Sequence, residues 1–141
     1  MKLSTILLQV VFGTIVLANS EKSKITPEKI QQQWATLVAP YVTRCLCESG
    51  ANRALAEMWS QNGQITTDPC LSCYILCIHR AVGYYDVRNE LTVDVILAAG
   101  IVVPESVVRY CVPKAANITD LCLKSFTYSN CVLTKVYEMK P

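Results

Sequence analysis

The cysteines constrain the fold of this chain more than any other feature. Eight are present in 141 residues, and Cys70, Cys73 and Cys77 are spaced so that a helix would place them in one stripe. Asp68 followed by Pro69 is a typical helix start, with an N-cap acceptor and a residue that needs no amide hydrogen. Cys73 and Cys77 would project in parallel, so they are poorly placed to bond each other. We therefore predict a central helix whose sulfurs bond to different neighbouring elements.

The N-terminal segment predicts export from the cell. Residues 1–20 have the parts of a secretory signal peptide: a positive Lys2, an apolar run over 6–17, and small residues ending at Ser20. The run is shorter than the ~20 residues that a membrane-spanning helix needs. We expect a mature chain of residues 21–141 that is secreted and extracellular and has no membrane span. Because export passes through an oxidising compartment, the cysteines are expected to form disulfide bonds.

The charges and the remaining chemistry exclude several classes of function. The sequence has 13 basic and 11 acidic residues, a net charge of +2, and no basic run, so no nucleic acid is expected as a partner. The only histidine, His79, is expected to be a solvated helix residue, and no Ser–His–Asp cluster can be assembled around it. Disulfide formation would leave no histidine and cysteine set for a metal. We therefore expect neither an enzyme nor a cofactor.

Local patterns predict six helices in a single domain. Pro40 lies inside the first helix and should kink or divide it, and Pro113 should end the fifth. The fourth helix is rich in β-branched residues, so a strand is its alternative. The predicted helices run approximately from Thr26 to Ser49, Ala51 to Gln61, Asp68 to Val82, Leu91 to Ala99, Pro104 to Cys111 and Leu121 to Tyr137.

The two cysteines of the last predicted helix face opposite ways. Cys122 and Cys131 are nine residues apart, which is about two and a half helical turns. One sulfur can therefore bond the central helix, and the other can bond the helix that carries Cys111. This arrangement would interlock three helices.

Two short motifs accompany the cysteine order. Segment 45–50 reads Cys-Leu-Cys-Glu-Ser-Gly, and Cys73-Tyr74 opens a C-x3-C unit. Together with the spacing of Cys111, Cys122 and Cys131, these features resemble the insect odorant-binding protein family, which comprises the pheromone and general odorant-binding proteins. The resemblance covers essentially the whole mature chain, residues 21–141. It implies an all-α fold, a compact six-helix domain that disulfides staple around an apolar cavity.

The resemblance also implies a disulfide pairing. The three family bonds would be Cys45–Cys77, Cys73–Cys122 and Cys111–Cys131. An additional cysteine pair, Cys47 and Cys70, departs from the six-cysteine pattern and would form a fourth bond, Cys47–Cys70. An exchanged pairing, with Cys45 bonded to Cys70 and Cys47 to Cys77, remains the alternative.

The function that the resemblance implies is carriage of small hydrophobic ligands, odorants or pheromones, in an internal pocket. A carrier or scavenger of the same fold in saliva or haemolymph is an alternative, and so is a secreted interaction protein that carries nothing. The expected partners are a volatile or lipid-like molecule of 10–20 heavy atoms bound at around micromolar strength, an olfactory receptor and a second copy of the chain. The expected site of action is sensillum lymph or another body fluid.

The pocket should be lined by the apolar faces of several helices, and tyrosine hydroxyls could bond a polar ligand group. The candidate lining residues are Leu55, Met58, Trp59, Tyr74, Ile78, Ile96, Leu97, Val108, Phe126 and Tyr137.

Two further expectations concern modification and pH. Asn117-Ile118-Thr119 is a glycosylation sequon between two predicted helices. With His79 as the only histidine, a cluster of imidazoles cannot act as a pH switch, so we expect no large loss of ligand affinity between pH 7 and 5.

Overall fold

The computed structural model describes residues 24–100 and 103–139, and the predicted signal peptide over 1–20 lies outside them. Seven α-helices are found in these ranges, which contain no strand beyond one isolated bridge between Tyr85 and Leu91. The helices are α1 Pro27–Val38, α2 Val42–Ser49, α3 Arg53–Asn62, α4 Pro69–Ala81, α5 Val93–Ala98, α6 Glu105–Ala115 and α7 Leu121–Glu138. The all-α prediction is confirmed, and the fourth predicted helix is helical as α5.

Local sequence signals set where the helices begin. Thr26, Asp68 and Asp120 each accept a hydrogen bond from the backbone N–H three residues later, at 3.3, 2.7 and 2.7 Å. Such an N-cap satisfies one of the amide groups that a helix leaves unpaired at its start. The N-caps of α1 and α4 are followed by proline, as the sequence predicts.

The two prolines behave differently. Pro40 lies in a 3-10 turn, Ala39–Tyr41, that separates α1 from α2, so the first predicted helix is divided where expected. The prediction that Pro113 ends the fifth helix is wrong, because α6 continues through it to Ala115. Proline removes one backbone hydrogen bond but does not prevent the next residues from adopting helical dihedral angles. Only two residues follow Pro113 in α6, so the interruption affects the last turn alone.

Three disulfide bonds join four of the helices. Cys45–Cys77 links α2 to α4, Cys73–Cys122 links α4 to α7, and Cys111–Cys131 links α6 to α7. These are the three pairings that the family resemblance implies. The two cysteines of α7 bond to different helices, as their spacing predicts. The central helix α4 is therefore bonded to two other helices through one face.

The fourth bond predicted, Cys47–Cys70, is absent, since both cysteines are exposed and unbonded. Cys45 and Cys47 are two residues apart on α2, which places their side chains about 200° apart around the helix axis. Cys45 is buried against α4, so Cys47 faces away from that helix. The exchanged pairing of Cys45 with Cys70 fails because Cys45 is bonded to Cys77.

The buried side chains form two hydrophobic clusters. One is built by α2, α3 and α4 with Val38, and the other by α5, α6 and α7 with Tyr84 and Leu91. Trp34 of α1 and Val82 at the end of α4 pack against both clusters. The region where the two clusters meet is therefore bounded by α1, α4 and α7, and the candidate site lies there.

Candidate ligand-binding site

A cavity of about 300 Å³ lies between α1 and α7. Most of its wall is aliphatic or aromatic, and α3, α4 and the segment after α4 provide its inner end. Its volume is at the low end of the ~300–1,000 Å³ range of small-molecule pockets. The apolar and aromatic lining residues are Ile30, Trp34, Leu37, Trp59, Tyr84, Val103, Tyr128, Val132, Leu133 and Val136.

Aromatic rings and one imidazole form the inner end of the cavity. Trp34 contacts Trp59 edge-on with the ring centroids 5.4 Å apart, and His79 stacks on Tyr84 at 4.9 Å. Tyr128 contacts His79 edge-on at 5.7 Å. Edge-on and offset contacts of this kind are the favoured arrangements of aromatic pairs. The inner end is thus a packed aromatic surface.

The opposite end of the cavity reaches solvent. Gln33, Thr36 and Leu37 of α1 line the cavity and are themselves exposed, and so is Gly100 across from them. Gln31 lies deeper and is buried. Its amide nitrogen donates to the carbonyl oxygens of two α3 residues, so this polar side chain is already engaged in holding α1 on α3.

The segment after α4 places Tyr84 beside His79. Gly83 has a φ of +84°, a left-handed conformation that glycine adopts without strain at a helix end. The chain turns back there, and the Tyr84 N–H donates to the His79 carbonyl at 2.8 Å. The next residue, Tyr85, has its hydroxyl 2.7 Å from the hydroxyl of Ser125 on α7. These two bonds fix the segment between α4 and α7.

A turn around Asp86 braces the same segment. Its carboxylate accepts the backbone N–H groups of Arg88 and Glu90, each at 2.8 Å. The bond from Glu90, followed by those from Arg88, lowers the pKa of Asp86 from its ordinary value. This turn lies between α4 and α5, directly after Tyr84 and Tyr85.

Small side chains let α7 approach α4 closely. Cys122, Ser125 and Ser129 share one face of α7, at the spacing of successive helical turns. The Cα atoms of Cys73 and Cys122 are 4.5 Å apart, which requires the two backbones to be near each other. At this interface Ser129 Oγ lies 3.2 Å from His79 Nε2.

His79 is neutral and only half satisfied in its hydrogen bonding. Burial lowers its pKa to about 3, so the imidazole is uncharged at both pH 7 and pH 5. Nε2 has Ser129 as its partner, whereas Nδ1 is buried with no hydrogen-bond partner in the part of the chain that the structure describes. Buried polar groups without a partner are uncommon in proteins. The expectation of stable affinity between pH 7 and 5 stays a prediction, and a neutral His79 supports it.

The prediction that His79 is solvated is wrong. Ile75 is one turn before it and Val82 is nearly one turn after it, so the three share a flank of α4 that faces away from the cysteine stripe. That flank packs into the protein, and His79 is buried, whereas the adjacent Arg80 is exposed. Helical phase, rather than polarity, decides the environment of this residue.

The ten candidate lining residues are placed unevenly. Only Trp59 lies in the wall of the cavity. Tyr137 borders a neighbouring pocket and donates to the Asn62 carbonyl at 2.8 Å. The other eight lie outside the wall: Tyr74, Ile78, Ile96 and Val108 are fully buried in the two clusters, and Leu55, Met58, Leu97 and Phe126 are partly buried.

The sequence pattern favours these eight residues as lining residues because they are apolar. In the structure these residues pack within the protein, and the cavity wall consists of other apolar and aromatic residues together with a few polar ones. Tyr74 is an example, because it is buried in one of the two clusters and lies outside the cavity wall. Its hydroxyl has no hydrogen-bond partner among the described residues, and burial raises its pKa to about 12. The wall residues missed by sequence reasoning include Trp34, His79, Tyr84, Tyr128 and Ser129.

Signals for some of the missed residues are present in the sequence. Ser125, Ser129, Val132 and Val136 repeat at helical spacing on α7, which marks the face that turns inward. The position of Tyr84 depends on the turn after α4 and on the hydrogen bond between Tyr85 and Ser125. These two residues are far apart in the sequence, so the residues around Tyr84 do not predict its position. Asn117 of the sequon is exposed in the connection between α6 and α7, and its glycosylation stays a prediction.

The described residues contain neither a helix that could span a membrane nor a side-chain cluster that could hold a metal. No helix within residues 24–100 and 103–139 is long and apolar enough to cross a membrane. The same residues contain no group of three or more histidine, cysteine, aspartate or glutamate side chains that could hold a metal ion.

Comparison with known proteins identifies similarities in sequence and in fold. A sequence model of the PBP/GOBP family matches residues 27–135. No curated protein sequence matches the chain. Among solved structures, the chain is similar to odorant binding protein 7 from Anopheles gambiae, a protein with four disulfide bridges, in complex with an azo compound. The two share 20% sequence identity with a TM-score of 0.52, over 79% of this chain and 89% of that one.

Proposed function

We propose that this chain, which belongs to the PBP/GOBP family, is a secreted carrier of small hydrophobic molecules. The observation that carries the proposal is the apolar and aromatic cavity of about 300 Å³ between α1 and α7. The inner end of the cavity is buried and aromatic, and its outer end reaches solvent beside Thr36 and Leu37. A carrier needs both properties, because its ligand must be desolvated and must also enter and leave.

The energy of an empty cavity supports ligand binding. Unfilled apolar volume in a closed protein core destabilises it by about 24 cal/mol per Å³. For a volume of 300 Å³ this gives an upper bound of about 7 kcal/mol, because the outer end of this cavity reaches solvent. A ligand that fills the space restores part of the lost contact energy. The volume favours ligands of about 10–20 heavy atoms and affinities around the micromolar range.

The proposed ligands are odorants or pheromones, the class associated with the family. The solved relative is in complex with an azo compound, which supports a small organic ligand for this chain as well. Export is supported by the signal-like segment over 1–20 and by three disulfide bonds. The proposal also includes delivery of the ligand to an olfactory receptor and association of the carrier with a second copy of itself.

Displacement of a fluorescent probe tests the proposal. The mature protein should bind N-phenyl-1-naphthylamine at micromolar concentration, and odorant-sized molecules should displace it. Val132→Trp places an indole in the cavity wall and should weaken probe binding at least tenfold, since the ring occupies the ligand volume. Val87→Trp is the matched control, because Val87 is fully exposed and outside the cavity.

The proposal fails if folded wild-type protein binds neither the probe nor any odorant-sized molecule. It also fails if Val132→Trp binds as well as Val87→Trp, since binding would then occur elsewhere on the protein. Circular dichroism of both variants should confirm that each remains helical.

A further inference from the structure

We propose that His79 and Ser129 together form a polar subsite in the cavity that binds a hydroxyl group, so that the protein selects small aromatic alcohols over hydrocarbons of the same size. The inference rests on the proposed carrier function and specifies the chemistry of its ligand. It starts from two side chains that are buried, lie in the wall of one cavity and contact each other at 3.2 Å.

The hydrogen-bonding capacity of the pair exceeds what the protein uses. A neutral imidazole has one donor and one acceptor, and a serine hydroxyl has one donor and two acceptor lone pairs. The bond between Nε2 and Oγ uses one donor and one acceptor, whichever side donates. One donor and two acceptors remain, and one of the remaining groups is the buried, unpartnered Nδ1 of His79. A ligand hydroxyl both donates and accepts, so it suits either tautomer of the imidazole.

The amide and hydroxyl side chains of α1 do not compete for this role. The amide nitrogen of Gln31 is bound to α3 carbonyl oxygens. Thr36 and Gln33 are exposed at the outer end, and the Thr36 hydroxyl donates to a carbonyl of its own helix at 3.0 Å. The wall also contains the hydroxyl groups of Tyr84 and Tyr128 and the indole N–H groups of Trp34 and Trp59. His79 and Ser129 differ from these groups because they contact each other and so offer a donor and an acceptor at one place.

The surrounding rings specify the rest of the ligand. Four aromatic rings surround the His79 ring, each with its centroid within 6.3 Å of the imidazole centroid. They are the rings of Trp34, Trp59, Tyr84 and Tyr128. Planar aromatic groups make favourable edge-on and offset contacts with such rings. A naphthol or a substituted phenol places an aromatic body against the rings and a hydroxyl at the polar pair.

Matched ligands test the subsite. Competition with N-phenyl-1-naphthylamine should give wild-type protein an affinity for 2-naphthol about tenfold higher than for 2-methylnaphthalene, a difference of about 1.4 kcal/mol. The double variant His79→Phe/Ser129→Ala removes the polar pair and keeps the space apolar. It should bind the two compounds within about twofold of each other while still binding the probe.

Ser125→Ala is the matched control. Ser125 lies one turn before Ser129 on the same face of α7 and bonds Tyr85 rather than His79, outside the cavity wall. This variant should keep the tenfold preference for 2-naphthol.

A direct readout is available as well, because His79 is the only histidine in the chain. Its imidazole ¹⁵N resonances in tag-free protein should shift with 2-naphthol and stay near their free positions with 2-methylnaphthalene.

The outcomes separate this inference from the proposed function. If wild-type protein binds the probe but does not distinguish the two compounds, or if the double variant keeps the preference, the polar subsite is refuted and the carrier function stands. If folded protein binds neither the probe nor either compound, the carrier function fails, and the subsite fails with it.

Discussion

The neutral imidazole of His79 makes the stability of the fold depend on pH. Burial lowers its pKa from 6.5 to about 3 in the folded protein, whereas in the unfolded chain it takes up a proton near pH 6.5. Below pH 6.5 the unfolded state therefore binds more protons than the folded state. The free energy of unfolding should fall as the pH drops from 6.5 towards 3, by about 1.4 kcal/mol per pH unit from this residue.

Urea unfolding at pH 7 and pH 5 measures this effect. Wild-type protein should lose about 2 kcal/mol more stability between the two pH values than His79→Phe, which has no proton to bind there. The titratable groups packed against His79 are Tyr84 and Tyr128, and burial raises the pKa of both, so neither contributes in this range. Equal losses in the two proteins would contradict the assignment of the low pKa to His79.

At the scale of helices, the junction of α3 and α7 depends on one glycine. Gly63 ends α3 with a φ of +64°, and a Cβ atom there would collide with the Tyr137 side chain of α7. Gly63→Ala should therefore combine the cost of a left-handed alanine, about 1–2 kcal/mol, with the cost of overpacking, about 1–3 kcal/mol. Thermal or urea unfolding of the variant gives the total loss.

Gly50→Ala separates the two contributions. Gly50 ends α2 with a similar φ of +67°, and a Cβ atom there would meet nothing within 4 Å. It should show the backbone cost alone, so Gly63→Ala should be the more destabilising change by at least about 1 kcal/mol. Similar losses for the two variants would show that α7 does not dock against the end of α3 as described.

The orientation of α2 against α4 predicts the reactivity of two cysteines. Cys45 faces α4, so Cys47 faces solvent, and Cys70 is exposed at the start of α4. Native, unreduced protein treated with iodoacetamide should gain two carbamidomethyl groups, which peptide mapping should place on Cys47 and Cys70. Reduced and unfolded protein should gain eight, one for each cysteine in the sequence. An unlabelled native protein would mean that a fourth disulfide forms and that α2 is turned differently.

At the scale of the whole molecule, the parts that the sequence predicts are the ones set by short-range rules. Helix starts follow from N-caps such as Asp68, and the division of the first helix follows from Pro40. The opposite faces of Cys122 and Cys131 follow from helical phase alone, and the structure bonds them to different helices. Each of these features depends on residues within a few turns of one another.

The cavity could not be predicted in the same way, because it depends on how distant segments pack. Its wall combines Trp34 from α1 with Ser129 from α7, and the sequence between them contains most of the fold. Apolar residues such as Ile78 and Val108 were better candidates by composition, and the two clusters use them for packing. His79 was predictable in principle from its phase on α4, but its polar character suggested a surface position. A cavity is the volume that packing leaves, so it is specified by the whole structure.

Export and glycosylation are both predicted from the sequence, and mass spectrometry can test them together. Protein secreted from insect cells should begin near residue 21, because the pattern over 1–20 predicts a signal peptide that is removed on export. Asn117 is exposed between α6 and α7, where a glycosyltransferase can reach the sequon before or after folding. The secreted protein should therefore lose mass on treatment with an N-glycosidase, and Asn117→Gln should not. Protein that stays inside the cells with residues 1–20 still attached would contradict the proposed secretion. A secreted wild-type protein with the mass of the bare polypeptide would show that the sequon is unused.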